Sequence, residues 1–121
     1  MRAEVRKQNA AVEFPTPERC HINEIANDDG DELVSIARAR VESGVATAWH
    51  KLTGISERYI IVSGEGRVEI GDLQPVDVRA GDVVRIPADT AQRISNTGND
   101  DLVFYAVCSP PFEAGCYVSL E

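Results

Sequence analysis

A chain of 121 residues has the length of one domain and can bury a core without disulfides or a structural metal. Twenty acidic residues against twelve basic ones give a formal net charge of -8, which repels a nucleic-acid backbone or an anionic bilayer, so neither is expected as a partner. Three cysteines without a CxxC pair argue against a disulfide framework. Residues 1–14 carry no apolar h-region and no run is long enough to span a bilayer, so a soluble, cytoplasmic protein is expected.

Residues 1–32 mix charge, two prolines and the polar run NDDGDE. They read as an arm that packs irregularly or on an edge, docked through Val12, Phe14, Ile22 and Ile25. From 33 to 121 short β-branched or aromatic runs alternate with Gly, Pro, Asn and Asp clusters, the pattern of an all-β domain. Strands are predicted at 33–41, 46–52, 57–63 and 66–71, then in PVDVRA, DVVRI, AQRISN and LVFYAVC. Gly64 with Gly66, AGD at 80–82 and NTGND at 96–100 mark the turns. Eight such strands suit a jelly-roll barrel, with the tail SPPFEAGCYVSLE returning across its mouth after Pro110 and Pro111 end the last strand.

Strand parity then sorts the side chains. Ala48, His50 and Leu52 share one face; Glu57, Tyr59 and Ile61 share another; Gln92, Ile94 and Asn96 a third. With the apolar members inward, His50, Glu57 and Gln92 converge inside the barrel. Each has an alternative role: His50 as a hydrogen-bonded core residue, Glu57 as a strand-end carboxylate paired with Arg58, Gln92 as a hydrogen-bonding cap. Tyr59 reads first as packing, with a hydroxyl able to reach a ligand. Cys108 shares parity with Leu102, Phe104 and Ala106 and faces the same space, either toward a ligand or as an inert buried thiol. Arg38 and Arg40 alternate with Ala37, Ala39 and Val41 and are expected on the surface.

Two segments resemble the cupin family, whose motifs are G(X)5HXH(X)3,4E(X)6G and G(X)5PXG(X)2H(X)3N. Gly44, His50, Glu57 and Gly64 fill the first at the family spacing, with Leu52 at the second histidine. Gly81, Pro87 and Asn96 fill the second, with Asp89 at the glycine and Gln92 at the histidine, so seven of ten positions agree. The resemblance implies a double-stranded β-helix barrel, pairing as a homodimer through an edge strand or sheet face, and a divalent metal such as iron, manganese, zinc or nickel. Here the metal would fall to His50, Glu57 and Gln92, more weakly than in the family because Leu52 cannot ligate and an amide oxygen is a poor donor.

Three functions remain open on these residues. A metal-assisted enzyme, dioxygenase- or isomerase-like, would use His50 and Glu57 at its centre. A binding or sensing module would hold a small polar molecule through Tyr59, Gln92, Asn96 and Cys108 without turnover. A metal-free isomerase or epimerase would use His50 and Glu57 as acid and base.

Overall fold

Eleven strands form wherever side chains alternate between the interior and solvent, and the computed structural model describes them across residues 1–121. They are β1 (Phe14–Pro15), β2 (His21–Ala26), β3 (Ser35–Val41), β4 (His50–Leu52), β5 (Ser56–Ser63), β6 (Glu65–Ile70), β7 (Val76–Arg79), β8 (Val83–Ile86), β9 (Gln92–Asn96), β10 (Leu102–Ser109) and β11 (Tyr117–Ser119). All pairings are antiparallel. One sheet runs β1-β2-β3-β10-β5-β8 and the other β11-β4-β9-β6-β7, which is the all-β jelly roll the turn spacing predicts. No helix is long and apolar enough to cross a membrane.

The two inner faces bury a cluster that includes Val41, Tyr59, Ile61, Val68, Ile86, Ile94, Leu102 and Phe104. The rings of Tyr59 and Phe104 lie 4.4 Å apart at 41°. A second, smaller cluster joins Leu52, Ile55, Cys108 and Cys116 at one end, with Phe112 and Tyr117 against it. Outward positions obey the same parity. Arg38 and Arg40 on β3 both reach Glu13, Arg93 on β9 pairs with Glu69 and lies over the Trp49 ring, and Ile60, Val62 and Val83 stand exposed.

Two regions differ from the sequence expectation. Part of the segment read as an arm is woven into the larger sheet: β2 pairs with β3 from His21↔Arg40 to Ala26↔Ile36, and β1 adds beyond it. The run HINEIA hides this because the positions lining the cavity are the half-buried Ile22 and the exposed Glu24, while the buried residue is the polar Asn23 on the other face, so the usual alternation is absent. The strand predicted at 46–52 shortens to His50–Leu52, because Thr47 Oγ1 accepts the Ile94 N–H at 3.0 Å where a longer ladder would run. The tail returns as foreseen: β11 pairs with β4, and the Leu120 N–H donates to Trp49 O at 2.9 Å.

Two motif positions are fixed by backbone geometry. Gly64 holds φ +87°, and a Cβ there would sit 2.5 Å from Asp101 O; Gly44 holds φ +77° with nothing within 4 Å. Asp89, at the motif's second-segment glycine, keeps the left-handed conformation at φ 64° and its Oδ1 accepts the Gly54 N–H at 3.1 Å. Gly44→Ala is therefore expected to cost about 1 kcal/mol in urea denaturation, and Gly64→Ala clearly more, because only the second adds a backbone clash to the φ penalty.

Candidate functional site

Register brings the predicted residues together between the sheets. His50 on β4 lies directly across from Gln92 on β9, and Glu57 on β5 lies across from Cys108 on β10. All four are buried. The His50 ring is oriented by its own strand entry: Nδ1 donates to Ala48 O at 2.8 Å, which leaves Nε2 as the nitrogen free for a ligand. Its face stacks on Tyr117, centroids 4.9 Å apart at 17°.

Glu57 is only 8% exposed and incompletely satisfied. Its Oε2 accepts from Cys108 Sγ at 3.6 Å, while Oε1 is buried with no hydrogen-bond partner. Burial pushes this carboxyl above the ordinary carboxylate range; the nearby Gln92 amide, then His50 and Cys108, pull it back by less. Gln92 is close enough for that influence without making a hydrogen bond of ordinary geometry. Its Oε1 accepts from the Tyr59 hydroxyl, so the amide nitrogen is the atom left to act on Glu57.

A cavity of about 140 Å³ opens beside these groups. His50, Leu52, Glu57 and Cys108 line it with Ala37 and Ala106, whose small side chains leave the space free. Tyr59, Gln92 and Asn96 do not reach it. Tyr59 and Gln92 form a buried pair behind the wall. Asn96, inward by parity, is tied into the 96–100 turn: Nδ2 donates to Val41 O at 2.9 Å and Asp100 O at 2.8 Å, and Oδ1 accepts the Gly98 N–H at 2.9 Å. The Cys108 thiol is pushed far up, first by burial and then by the Glu57 charge, so it is a donor to Glu57 and not a nucleophile.

Sequence reasoning missed the rest of the wall. Phe14, Glu18 and Glu24 come from the N-terminal segment, and Phe112 and Tyr117 from the tail. Burial raises the Glu18 and Glu24 carboxyls above their ordinary range, with His50 pulling Glu18 down by less, and raises the Tyr117 hydroxyl to about 12. The shared inward parity of Ile22 and Glu24 was the one local signal for these positions; Glu18 precedes β2 and carried none.

A family model described as Cupin domain matches residues 37–108. An oxalate-binding protein of Thermotoga maritima is 39% identical over 71 residues, 59% of this chain and 58% of that protein. The chain spans about three fifths of the length of the curated relatives it matches. Among solved structures, a predicted oxalate decarboxylase of Thermotoga maritima superposes with a TM-score of 0.69 at 29% identity, over 75% of this chain and 80% of that one. A Klebsiella pneumoniae protein with a double-stranded β-helix domain superposes with a TM-score of 0.78 at 16% identity, over 98% and 99%.

The unpaired Glu57 carboxyl has a measurable signature. A carboxyl whose folded pKa is raised favours folding below its unfolded value of 4.5, and that contribution is lost as pH rises through the folded pKa. In metal-free protein, Glu57→Gln is therefore expected to melt a few degrees above the parent at pH 8, with the gap shrinking as pH falls toward 4.5. Thermal melts across that range check both the sign and the trend.

Proposed function

The chain belongs to the cupin family, and on that footing we propose that it binds a small molecule in the cavity between its sheets, against Glu57 and His50. The buried, unpartnered Glu57 Oε1 carries this reading. Glu57 lines the cavity, and an uncompensated buried acceptor costs stability on its own and is relieved when a ligand brings a donor within reach. The volume matches a guest of about six to eight non-hydrogen atoms, since a cavity of about 150 Å³ accommodates benzene.

A metal ion fits these side chains poorly as they stand. His50 Nε2 and Glu57 Oε1 are available, but Gln92 Oε1 already accepts from Tyr59, and no three His, Cys, Asp or Glu side chains are grouped to hold an ion. Two donors would hold a divalent ion weakly. Oxalate, named for the Thermotoga relative, is the first ligand to try; no lysine or arginine lines the cavity to meet it. A second reading, proton transfer on the bound molecule, draws on the same pair, because an anchored imidazole and an unpaired carboxyl line one cavity.

A thermal-shift screen of small acids, polyols, sugars and amines, with and without added divalent metal, tests the reading. At least one class should raise the melting temperature. The shift should vanish in Glu57→Gln, which removes the carboxylate, and in Ala106→Leu, which fills the space. A shift that survives both substitutions places the ligand elsewhere and sinks the proposal. Metal analysis of untagged protein should find well under one ion per chain.

A further inference from the structure

The cavity has a charge character that nothing in the family motif specifies. Three carboxylates line it, Glu18, Glu24 and Glu57, and no lysine or arginine does. Acidic side chains elsewhere include several with an arginine close by: Glu13 is paired with Arg40, Glu69 with Arg93, Asp77 with Arg67 and Glu121 with Arg19. None of the three cavity carboxylates has an ion-pair partner in the molecule.

Strand parity makes that asymmetry systematic. The walls are built largely from β2, β3, β5 and β10, and their arginines, Arg38, Arg40 and Arg58, all point away from the cavity: the first two meet Glu13, and Arg58 donates to Ser109 Oγ at 2.8 Å. The positions of the same strands that line the cavity are Ile22, Glu24, Ser35, Ala37, Glu57, Ala106 and Cys108. His50 is the one lining side chain able to carry positive charge, a single charge at most against three. Phe14, Phe112 and Tyr117 complete the wall, and aromatic side chains around a carboxylate suit an alkylammonium group, whose charge they attract and whose carbons they cover.

Resting on the reading that this cavity binds a small molecule, we propose that its ligand is an organic cation, a protonated or quaternary amine, held by the unpartnered Glu57 Oε1 with Glu18 and Glu24 between aromatic walls. The acidic cluster alone would not carry this. The independent observation is Glu57 itself, more than nine-tenths buried and lining the cavity, with an acceptor atom, Oε1, that has no hydrogen-bond partner. A dicarboxylate such as oxalate would add its charge to three like charges and leave that acceptor without a donor.

The test compares shapes that differ only in charge. Protein stripped of metal by a chelator and returned to chelator-free buffer is titrated by calorimetry with choline and with its neutral isostere 3,3-dimethylbutan-1-ol, with butylamine and butan-1-ol, and with oxalate. At least one cation should bind about tenfold or more tightly than its neutral isostere and tighter than oxalate. Glu18→Gln and Glu57→Gln, each verified as folded by a cooperative melt, should shrink that preference several-fold. Equal binding of cation and isostere, or tighter binding of oxalate, overturns the charge assignment and leaves the pocket reading standing. Oxalate binding that appears only when manganese or zinc is added also overturns it, since the positive charge would then be a metal ion. If no probe of any charge binds, and none perturbs the amide resonances of Ala106 and Tyr117, the pocket reading falls with it.

Discussion

Glu57 shares its strand face with Tyr59 and Ile61, and the fold cannot bury those two without burying the carboxylate as well. A one-residue slip of β5 would free Glu57 but would turn Arg58 and Ile60 inward and push Tyr59 and Ile61 into water. The core therefore holds the carboxylate in place against its own desolvation cost. The register of β10 places the Cys108 thiol opposite, which satisfies one oxygen weakly and leaves the other alone. The larger apolar cluster fills the space from Tyr59 onward, the smaller gathers around Leu52 and Cys108, and Glu57 lies where they part.

The two histidine positions that differ from the family motif are both absorbed by packing. Leu52 becomes part of the smaller cluster with Ile55, Cys108 and Cys116. Gln92 becomes the acceptor for a tyrosine hydroxyl that would otherwise be a buried donor without a partner. Together the changes convert a region of converging nitrogen ligands into one half apolar and half acidic. His50 survives with a ring fixed by a backbone carbonyl and by the Tyr117 face, so its remaining nitrogen has one direction in which to act.

Strand parity made much of this legible in the sequence. The triplets 48/50/52, 57/59/61 and 92/94/96 fall inside because a period of two permits only two faces, and their apolar members choose between them. Parity decides which face a residue takes, however, and not what its polar atoms meet there. Asn96 points inward and spends every polar atom on the turn that follows it; Gln92 points inward and meets Tyr59. Glu18 escaped notice because it precedes β2 in a segment with no period, and its place beside the cavity depends on contacts far away in sequence. Glu24 escaped because it is an exposed acidic side chain, and only the fold shows that it also borders the cavity.

That distribution bears on how far a relative's ligand carries over to this chain. The family match spans residues 37–108, which supply the barrel, His50 and Glu57. Phe14, Glu18, Glu24, Phe112 and Tyr117 lie outside it, on the N-terminal strands and the returning tail. The shared segment thus brings a bottom and two polar groups, while the sides that set size and charge come from sequence particular to the flanks. Two cupins can agree closely over the barrel and still enclose oppositely charged space, because a ligand touches the whole wall. In this chain the flanks contribute two of the three cavity carboxylates and all three of the phenylalanine and tyrosine side chains that line it. The selectivity of the pocket is therefore to be sought in residues 14–24 and 112–117, where substitutions can change ligand preference without disturbing the buried register that holds Glu57.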